Sequence, residues 1–255
     1  MSKKIKPNFF IIGAAKAATT SLSSLLEQHP EAAMVYKKEP HYFSHDYYKL
    51  GWKGYLKLFN HCTDQKAIGD ASTSYSRIRY HPGVIARIKE FVPKARIIYM
   101  VRHPLKRMES DFVERACYPH LEAFLSINEA IRHLPVLVDS SRYWEVFDAY
   151  RQAFDESRIK IVWFEEYIAD TTAVFQDVCR FLEIDDTVIP DLERERTNSR
   201  ENAAARMAAI GRSKTQVNTT WDEATRQGVI SQLRDDNCRF LDHFGKPRNY
   251  WGDLF

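Results

Sequence analysis

Apolar positions along the chain fall in short unbroken runs separated by stretches of helical period. The first run, Asn8-Phe9-Phe10-Ile11-Ile12-Gly13, is rich in aromatic and β-branched residues, the pattern of a strand buried on both faces. A turn of small residues follows over 14–18. Thr19, Thr20 and Ser21 then supply helix-start chemistry, and Leu22, Leu25 and Leu26 form an apolar stripe. This predicts a helix of about ten residues that stops near His29-Pro30. The same order recurs over 94–101, where Ile97-Ile98-Tyr99-Met100-Val101 reads as a second buried strand. Pro104 suits the first turn of a helix running past Ser110 towards Cys117. A third strand is predicted over 159–164, preceded by a helix over 141–154, and a shorter strand over 67–70.

Strands alternating with helices predict an α/β fold, in three α/β/α layers around a central parallel sheet, with ligands bound beyond the carboxyl ends of the strands. No repeat, low-complexity tract or Gly/Ser-rich linker divides the sequence, so a single domain over 1–255 is expected. Residues 194–214 differ in character: Arg194, Arg196, Arg200, Arg206, Arg212 and Lys214 lie among polar and alanine residues. They read as a basic, partly helical excursion with a solvated face.

With 255 residues, 44% hydrophobic and 28% charged, the chain is neither disordered nor fibrous and can bury a core without disulfides or metal. Its 37 Lys+Arg against 34 Asp+Glu leave a net charge of only +3. That is no nucleic-acid signature, so an anionic ligand must be met by a local cluster of cations. Cys62, Cys117, Cys179 and Cys238 are widely spaced with no metal-type pattern, which reads as reduced, mostly buried thiols. The apolar run over 9–15 is interrupted by Lys16, too short for a signal-peptide core or a membrane span. A cytoplasmic chain with no integral membrane segment is expected. The sequence carries no signal for oligomeric state.

Two segments carry chemistry. In Gly13-Ala14-Ala15-Lys16-Ala17-Ala18-Thr19-Thr20-Ser21-Leu22 a strand meets a tight turn and a helix N-terminus. Backbone N–H groups, the helix dipole and three hydroxyls make an anion cradle there, suited to phosphate. Small residues at such a turn also serve packing alone. The nucleotide-kinase loop G-x-x-x-x-G-K-[ST] does not fit: Lys16 comes three residues after Gly13, and no Gly-Lys pair follows. In the second segment Arg102 sits at the carboxyl end of a buried strand, where its planar fork can take two phosphate oxygens. Ser110 lies about two helical turns further on and shares a face with Arg107 and His103. Arg102 also admits a structural reading, an ion pair that caps the strand.

Together these segments resemble the sulfotransferases that use 3′-phosphoadenosine 5′-phosphosulfate (PAPS). The first is similar to their 5′-phosphosulfate loop, and the second, an arginine followed eight residues later by serine, to their 3′-phosphate motif. Lys38-Glu39-Pro40-His41-Tyr42-Phe43 resembles the Lys-Glu-Pro-His-Phe-Phe segment of the heparan-sulfate-type branch. Residues 143–182, with Trp163-Phe164-Glu165-Glu166-Tyr167 and Cys179-Arg180-Phe181-Leu182, are similar to the family's late strand and following helix. Ser213-Lys214, residues 233–241 and Trp251 resemble its C-terminal portion. Three departures stand out: Ala18 in place of a loop glycine, Thr215 in place of glycine after Lys214, and Ala71 where carbohydrate enzymes often carry lysine.

The resemblance implies a PAPS-dependent enzyme that moves a sulfuryl group in line to an acceptor hydroxyl or amine, with PAPS as co-substrate and no metal. It implies Lys16 as stabiliser of the leaving 5′-phosphate, and Ala17, Ala18, Thr19, Thr20 and Ser21 as the cradle. Arg102 and Ser110 would hold the 3′-phosphate, and Lys214 an adenine or 3′-phosphate contact. Glu39 is the candidate general base, since a carboxylate is ionised at neutral pH; Lys37 or Lys38 would pair with it if it were only a surface residue. His41 is an alternative base, an acceptor contact or a helper that orients Glu39. His41 and His45 stand four apart, but Pro40 interrupts a helix and no third ligand is evident, so a metal is not expected. The rival classes are a P-loop phosphotransferase and a non-catalytic nucleotide-binding module. The expected acceptor is a small molecule or glycan, with Tyr36, Tyr42, Phe43, Tyr47, Tyr48 and the loop over 117–124 as candidate lining. The small net charge and Ala71 favour a small acceptor over a long sulfated polymer.

Overall fold

A computed structural model describes residues 5–115, 124–193, 217–252 and 254–255. Two compact units are present: Met1–Arg102 with Ala149–Arg196, and His103–Asp148 with Thr197–Phe255.

The first unit is built on a sheet of five parallel strands. In chain order these are β1 (Phe9–Gly13), β2 (Ala32–Met34), β3 (Ala67–Ala71), β4 (Arg96–Val101) and β5 (Ile159–Trp163), arranged β2-β3-β1-β4-β5. The fold class is α/β with a central parallel sheet, as the sequence predicts. β1 and β3 are buried at every position, which is why they read as continuous apolar runs and not as alternating ones. Phe9 lies opposite Gly69 of β3. A Cβ on Gly69 would fall on the Phe9 ring, so the glycine creates the space the aromatic side chain fills. From β1 the chain runs out to the β2 edge, returns through β3, and then crosses to β4 on the far side of β1. The strand order reverses around β1, the switch point at whose carboxyl end such sheets bind ligands.

Helices α1 (Thr19–Leu26), α2 (Trp52–Leu56) and α3 (Val84–Phe91) join the first four strands. α1 ends at Leu26, three residues before the expected stop near His29: Gln28 and His29 donate to the carbonyls of Leu25 and Leu26 in tightening turns. β2, a strand of three residues, has too short a pattern for sequence reading to separate from a loop, and α3 was not anticipated either. Beneath the segment after β2 lies an aromatic core in which Tyr42 stacks on Tyr55 at 4.3 Å and Phe10 meets Phe43 edge-on at 5.7 Å. Tyr42 and Phe43 are buried, so they belong to this core and line no acceptor cleft; Tyr36 and Tyr47 are exposed.

In the second unit α4 (Pro104–Arg115) begins at Pro104 as expected, followed by α5 (Ile127–His133) and α6 (Val136–Asp139). Arg107 is wholly buried. Its guanidinium donates to Ser141 Oγ at 2.7 Å, to Asp111 Oδ2 at 3.2 Å and to the Leu137 carbonyl. It therefore pins α4 from inside, and Ser110, three residues on, is half-buried. α7 (Tyr143–Ala153) carries the chain back to the first unit, where α8 (Phe164–Ala169) and α9 (Thr171–Leu182) follow. β5 stops at Trp163, one residue short of the expected strand, because Phe164 already opens α8. α10 (Glu223–His243) completes the second unit. Asp236 on α10 accepts from the backbone N–H groups of Trp144 and Glu145 at 3.1 and 2.9 Å, capping α7. Burial pushes its carboxyl up to about 6, against the lowering effect of those two bonds.

Cys62 and Cys179 are buried free thiols and Cys238 is half-buried; Cys117 lies outside the described residues. Among the described residues no helix is long and apolar enough to cross a membrane.

Candidate functional site

The cradle forms where β1 leaves the sheet. Gly13 takes φ 141°, and a Cβ there would strike the Ser76 side chain, so the turn requires glycine at its first position. The Ala14 N–H donates to the Met100 carbonyl at 2.6 Å, tying the turn to β4. Lys16 and Ala18 then take left-handed backbone at φ 71° and 67°, which folds the chain back into the start of α1. Leu22 N–H to Ala18 carbonyl, at 3.1 Å, is the first helical bond. The N–H groups of Thr19, Thr20 and Ser21 precede it and have no carbonyl of their own helix to meet, so the positive end of the dipole faces outward. Ala18 stands where only glycine is free of a side-chain clash, which costs about 1 kcal/mol. Ser21 Oγ is engaged with Tyr167 Oη of α8 at 2.6 Å.

Arg102 leaves the end of β4 beside this turn. Its Nη1 donates to the Lys16 carbonyl at 3.0 Å, and its guanidinium carbon sits 4.2 Å from the Phe164 ring centroid. The Arg102 fork is thus anchored on the cradle's backbone and on an aromatic face. Ser110 lies on α4, in the second unit, and Lys214 lies outside the described residues.

The segment after β2 supplies a carboxylate. Glu39 and His41, on either side of Pro40, both take left-handed backbone at φ 54° and 53°. Thr73 Oγ1, just past β3, donates to the Glu39 carboxylate at 3.3 Å, and His41 Nε2 lies 3.3 Å from Glu39 Oε2. The other ring nitrogen, Nδ1, lies 2.6 Å from Ser74 Oγ, which in turn is 2.6 Å from Ser44 Oγ. His41 N–H donates to Ser72 Oγ at 3.2 Å, and Ser72 donates to Asp70 Oδ1 at 2.7 Å. Asp70 Oδ2 accepts from Tyr55 and Tyr75 at 2.6 and 2.8 Å. A buried carboxylate at the end of β3 therefore holds the backbone of the segment that carries Glu39. Burial pushes Asp70 up to about 6, opposed by its three hydroxyl donors and reinforced by the Glu39 charge.

His41 stacks on His45 at 4.9 Å and 12°, and His45 on His81 at 4.8 Å. Burial, followed by the charges of His45, Arg77 and His81, holds His41 down at about 4. The ring is neutral at pH 7. An ionised carboxylate can only accept, so contact with Glu39 requires the proton on Nε2, which leaves Nδ1 to accept from Ser74. Rings stacked face to face do not aim their nitrogens at one point, and among the described residues no group of His, Cys, Asp or Glu is placed to hold a metal ion.

Lys38 joins the two halves. Its Nζ hydrogen-bonds Thr20 Oγ1 in the first turn of α1 and lies 4.0 Å from Glu39 Oε1. The first unit thus brings Lys16, the 17–21 turn, Arg102, Glu39 and His41 to adjoining loops at the carboxyl ends of the strands. Sequence reading gave Lys38 only the part of a surface partner for Glu39, which the 4.0 Å contact matches, and gave no role to Thr73, Ser74 or Asp70. The available signal was the hydroxyl-rich run Ser72-Thr73-Ser74 directly after a strand, where an α/β sheet places ligand contacts.

Residues 6–231 match the family described as Sulfotransferase domain. The chain belongs to the sulfotransferase family. It is 36% identical over 109 residues to membrane-associated sulfotransferase kil1 of Dictyostelium discoideum, a match over 42% of this chain and 22% of that protein. To human heparan sulfate glucosamine 3-O-sulfotransferase 6 the identity is 30% over 129 residues, half of this chain and 35% of the relative. The chain thus spans well under half the length of these two relatives. Among solved structures, a sulfotransferase from Alicyclobacillus acidocaldarius superposes with a TM-score of 0.75 at 24% identity, over 95% of this chain and 97% of that one. A mouse sulfotransferase complexed with PAP gives 0.55 at 14% identity, over 94% and 88%. Identities this low speak for the fold: this sulfotransferase has the α/β architecture of those structures.

Proposed function

We propose that this sulfotransferase takes PAPS as donor and transfers its sulfuryl group in line to a hydroxyl or amine of a small-molecule or glycan acceptor. The observation that carries this reading is the bridge from donor cradle to carboxylate, Thr20 to Lys38 to Glu39, within one unit. The family match runs through both compact units, which supports treating them as one sulfotransferase domain. The PAP in the mouse neighbour and the glucosamine sulfotransferase relatives support the donor and acceptor classes.

The turn over 17–21 holds the 5′-phosphosulfate through backbone N–H groups and hydroxyls. Lys16 neutralises charge on the leaving phosphate oxygen as the S–O bond breaks. Arg102 takes the 3′-phosphate, the group that separates this donor from AMP. Glu39 receives the acceptor's proton as the new bond to sulfur forms. His41, neutral and donating through Nε2–H, orients that carboxylate and does not itself take the proton, a helper's role that its lowered pKa and its contact with Glu39 support. No covalent intermediate is involved.

Calorimetry with PAP and AMP tests the donor, and PAP is expected to bind at least tenfold tighter. Equal affinities would remove the 3′-phosphate site. With radiolabelled PAPS and a panel of sugars and phenols, Glu39→Gln should lose about 10²–10⁴-fold in turnover, and Lys16→Met about 10²–10³-fold. Transfer surviving both substitutions would overturn the assignment of these residues.

A further inference from the structure

Lys38 occupies a position that a surface ion pair does not require. Pairing with Glu39, its chain neighbour, needs no other element, yet the ammonium also reaches Thr20, eighteen residues away in the first turn of α1. Its side chain is exposed, at 38%. Glu27 also feels this charge: burial raises its carboxyl and Lys38 lowers it. The cation therefore sits among two carboxylates, a helix N-terminus and the cradle's hydroxyl, at the seam between donor and base.

In-line transfer fixes what passes through that seam. Sulfur must lie between the leaving phosphate oxygen, held in the cradle, and the attacking oxygen, held beside Glu39. A cation in contact with both the cradle and the base lies alongside that line.

We propose that Lys38 is a catalytic residue that binds the sulfuryl group itself, its N–H groups donating to the sulfonate oxygens as they pass from donor to acceptor. This rests on the reading of PAPS as donor. In the step it assists, the bond from sulfur to the bridging phosphate oxygen breaks with its electron pair left on the phosphate. The acceptor oxygen forms the new bond to sulfur, and its proton passes to Glu39, giving PAP and a sulfate ester. Lys16 and Lys38 divide the charge: Lys16 serves the leaving oxygen and Lys38 the group in flight. Thr20 and Glu39 aim the ammonium before donor arrives, so it need not reorganise during transfer.

PAPS and PAP differ only in the sulfuryl group, so their affinities isolate this contact. In calorimetry without acceptor, Lys38→Met should weaken PAPS at least tenfold and PAP less than threefold, the retained PAP affinity showing an intact cradle. Equal weakening of both would make Lys38 a part of the phosphate cradle, and no change in either would make it a surface lysine; each overturns the proposal. Wild-type protein that binds neither nucleotide would instead remove the PAPS reading and this proposal with it. Should Lys38→Met fail to fold, Lys38→Gln, which still donates to Thr20, is judged by the same ratio.

Discussion

Neutral His41 beside an ionisable Glu39 is a consequence of where the ring is packed. Imidazole ordinarily titrates near 6.5, but burial and the row of His45, Arg77 and His81 hold this one at about 4. Its carbon-bound proton resonances should stay flat from pH 8 to 5 in an NMR titration. A midpoint near 6.5 would show the ring to be solvated and unstacked. Because its task is to present an N–H to Glu39, His41→Gln, which keeps a donor on a side chain of similar reach, should retain PAPS turnover within about tenfold, and His41→Leu should lose about a hundredfold. The opposite order would mean that the ring acts by size alone. Glu39 and His41 were legible as candidates because their segment carries a family pattern. Their division of labour was not, since it depends on Ser74 and the histidine stack, which lie more than thirty residues away or on the far side of Pro40.

The turn between β1 and α1 shows how an element tolerates a residue that its local geometry disfavours. Ala18 sits at φ 67° and ψ 22°, so Ala18→Gly should relieve a steric penalty of about 1 kcal/mol, partly offset by the greater entropy of glycine in the unfolded chain. A rise in melting temperature of a degree or two is expected in calorimetry, and a fall would mean that packing against Ala18 outweighs its backbone cost. β3 carries a second element-scale device, Asp70 with its three hydroxyl donors. Native Asp70, raised to about 6, binds more protons than its unfolded counterpart between about 3.8 and 6, so its contribution to stability declines as pH rises through that window. Lowered His41 works in the other sense: the unfolded chain binds more protons between about 4 and 6.5, so stability declines as pH falls. The two partly cancel, and Asp70→Asn should make stability, followed by urea unfolding, fall more steeply between pH 6 and 4.5 than in the wild type. Long elements were readable because burial on both faces leaves a continuous apolar run, as in β1 and β4. Three-residue β2, whose Ala-Ala-Met carries no period, was not, although it delivers Lys38, Glu39 and His41 to the site.

For the whole molecule the charge balance of +3 matters less than where the cations stand. Lys16, Lys38 and Arg102 gather on loops of one unit, so PAP should stabilise the fold by mass action. At a hundred times its dissociation constant the gain is about 2.7 kcal/mol, or about 5–10 °C in melting temperature at about 2–4 °C per kcal/mol. AMP at the same concentration should give a clearly smaller shift, and equal shifts would count against recognition of the 3′-phosphate. The sequence by itself determined the α/β class, the cradle and the arginine at the end of β4, because these are written in local runs: an apolar strand, a small-residue turn, a helix start. Tertiary structure alone decided that Lys38 reaches Thr20, that Asp70 and Ser72 hold the backbone of the Glu39 segment, and that Arg107 and Tyr42 face inward. The order of the strands, set by how each buries its two faces, brings the Lys38–Glu39–His41 segment to Thr20 and Ser72, and the packing of helices in the second unit brings Arg107 to Leu137 and Ser141.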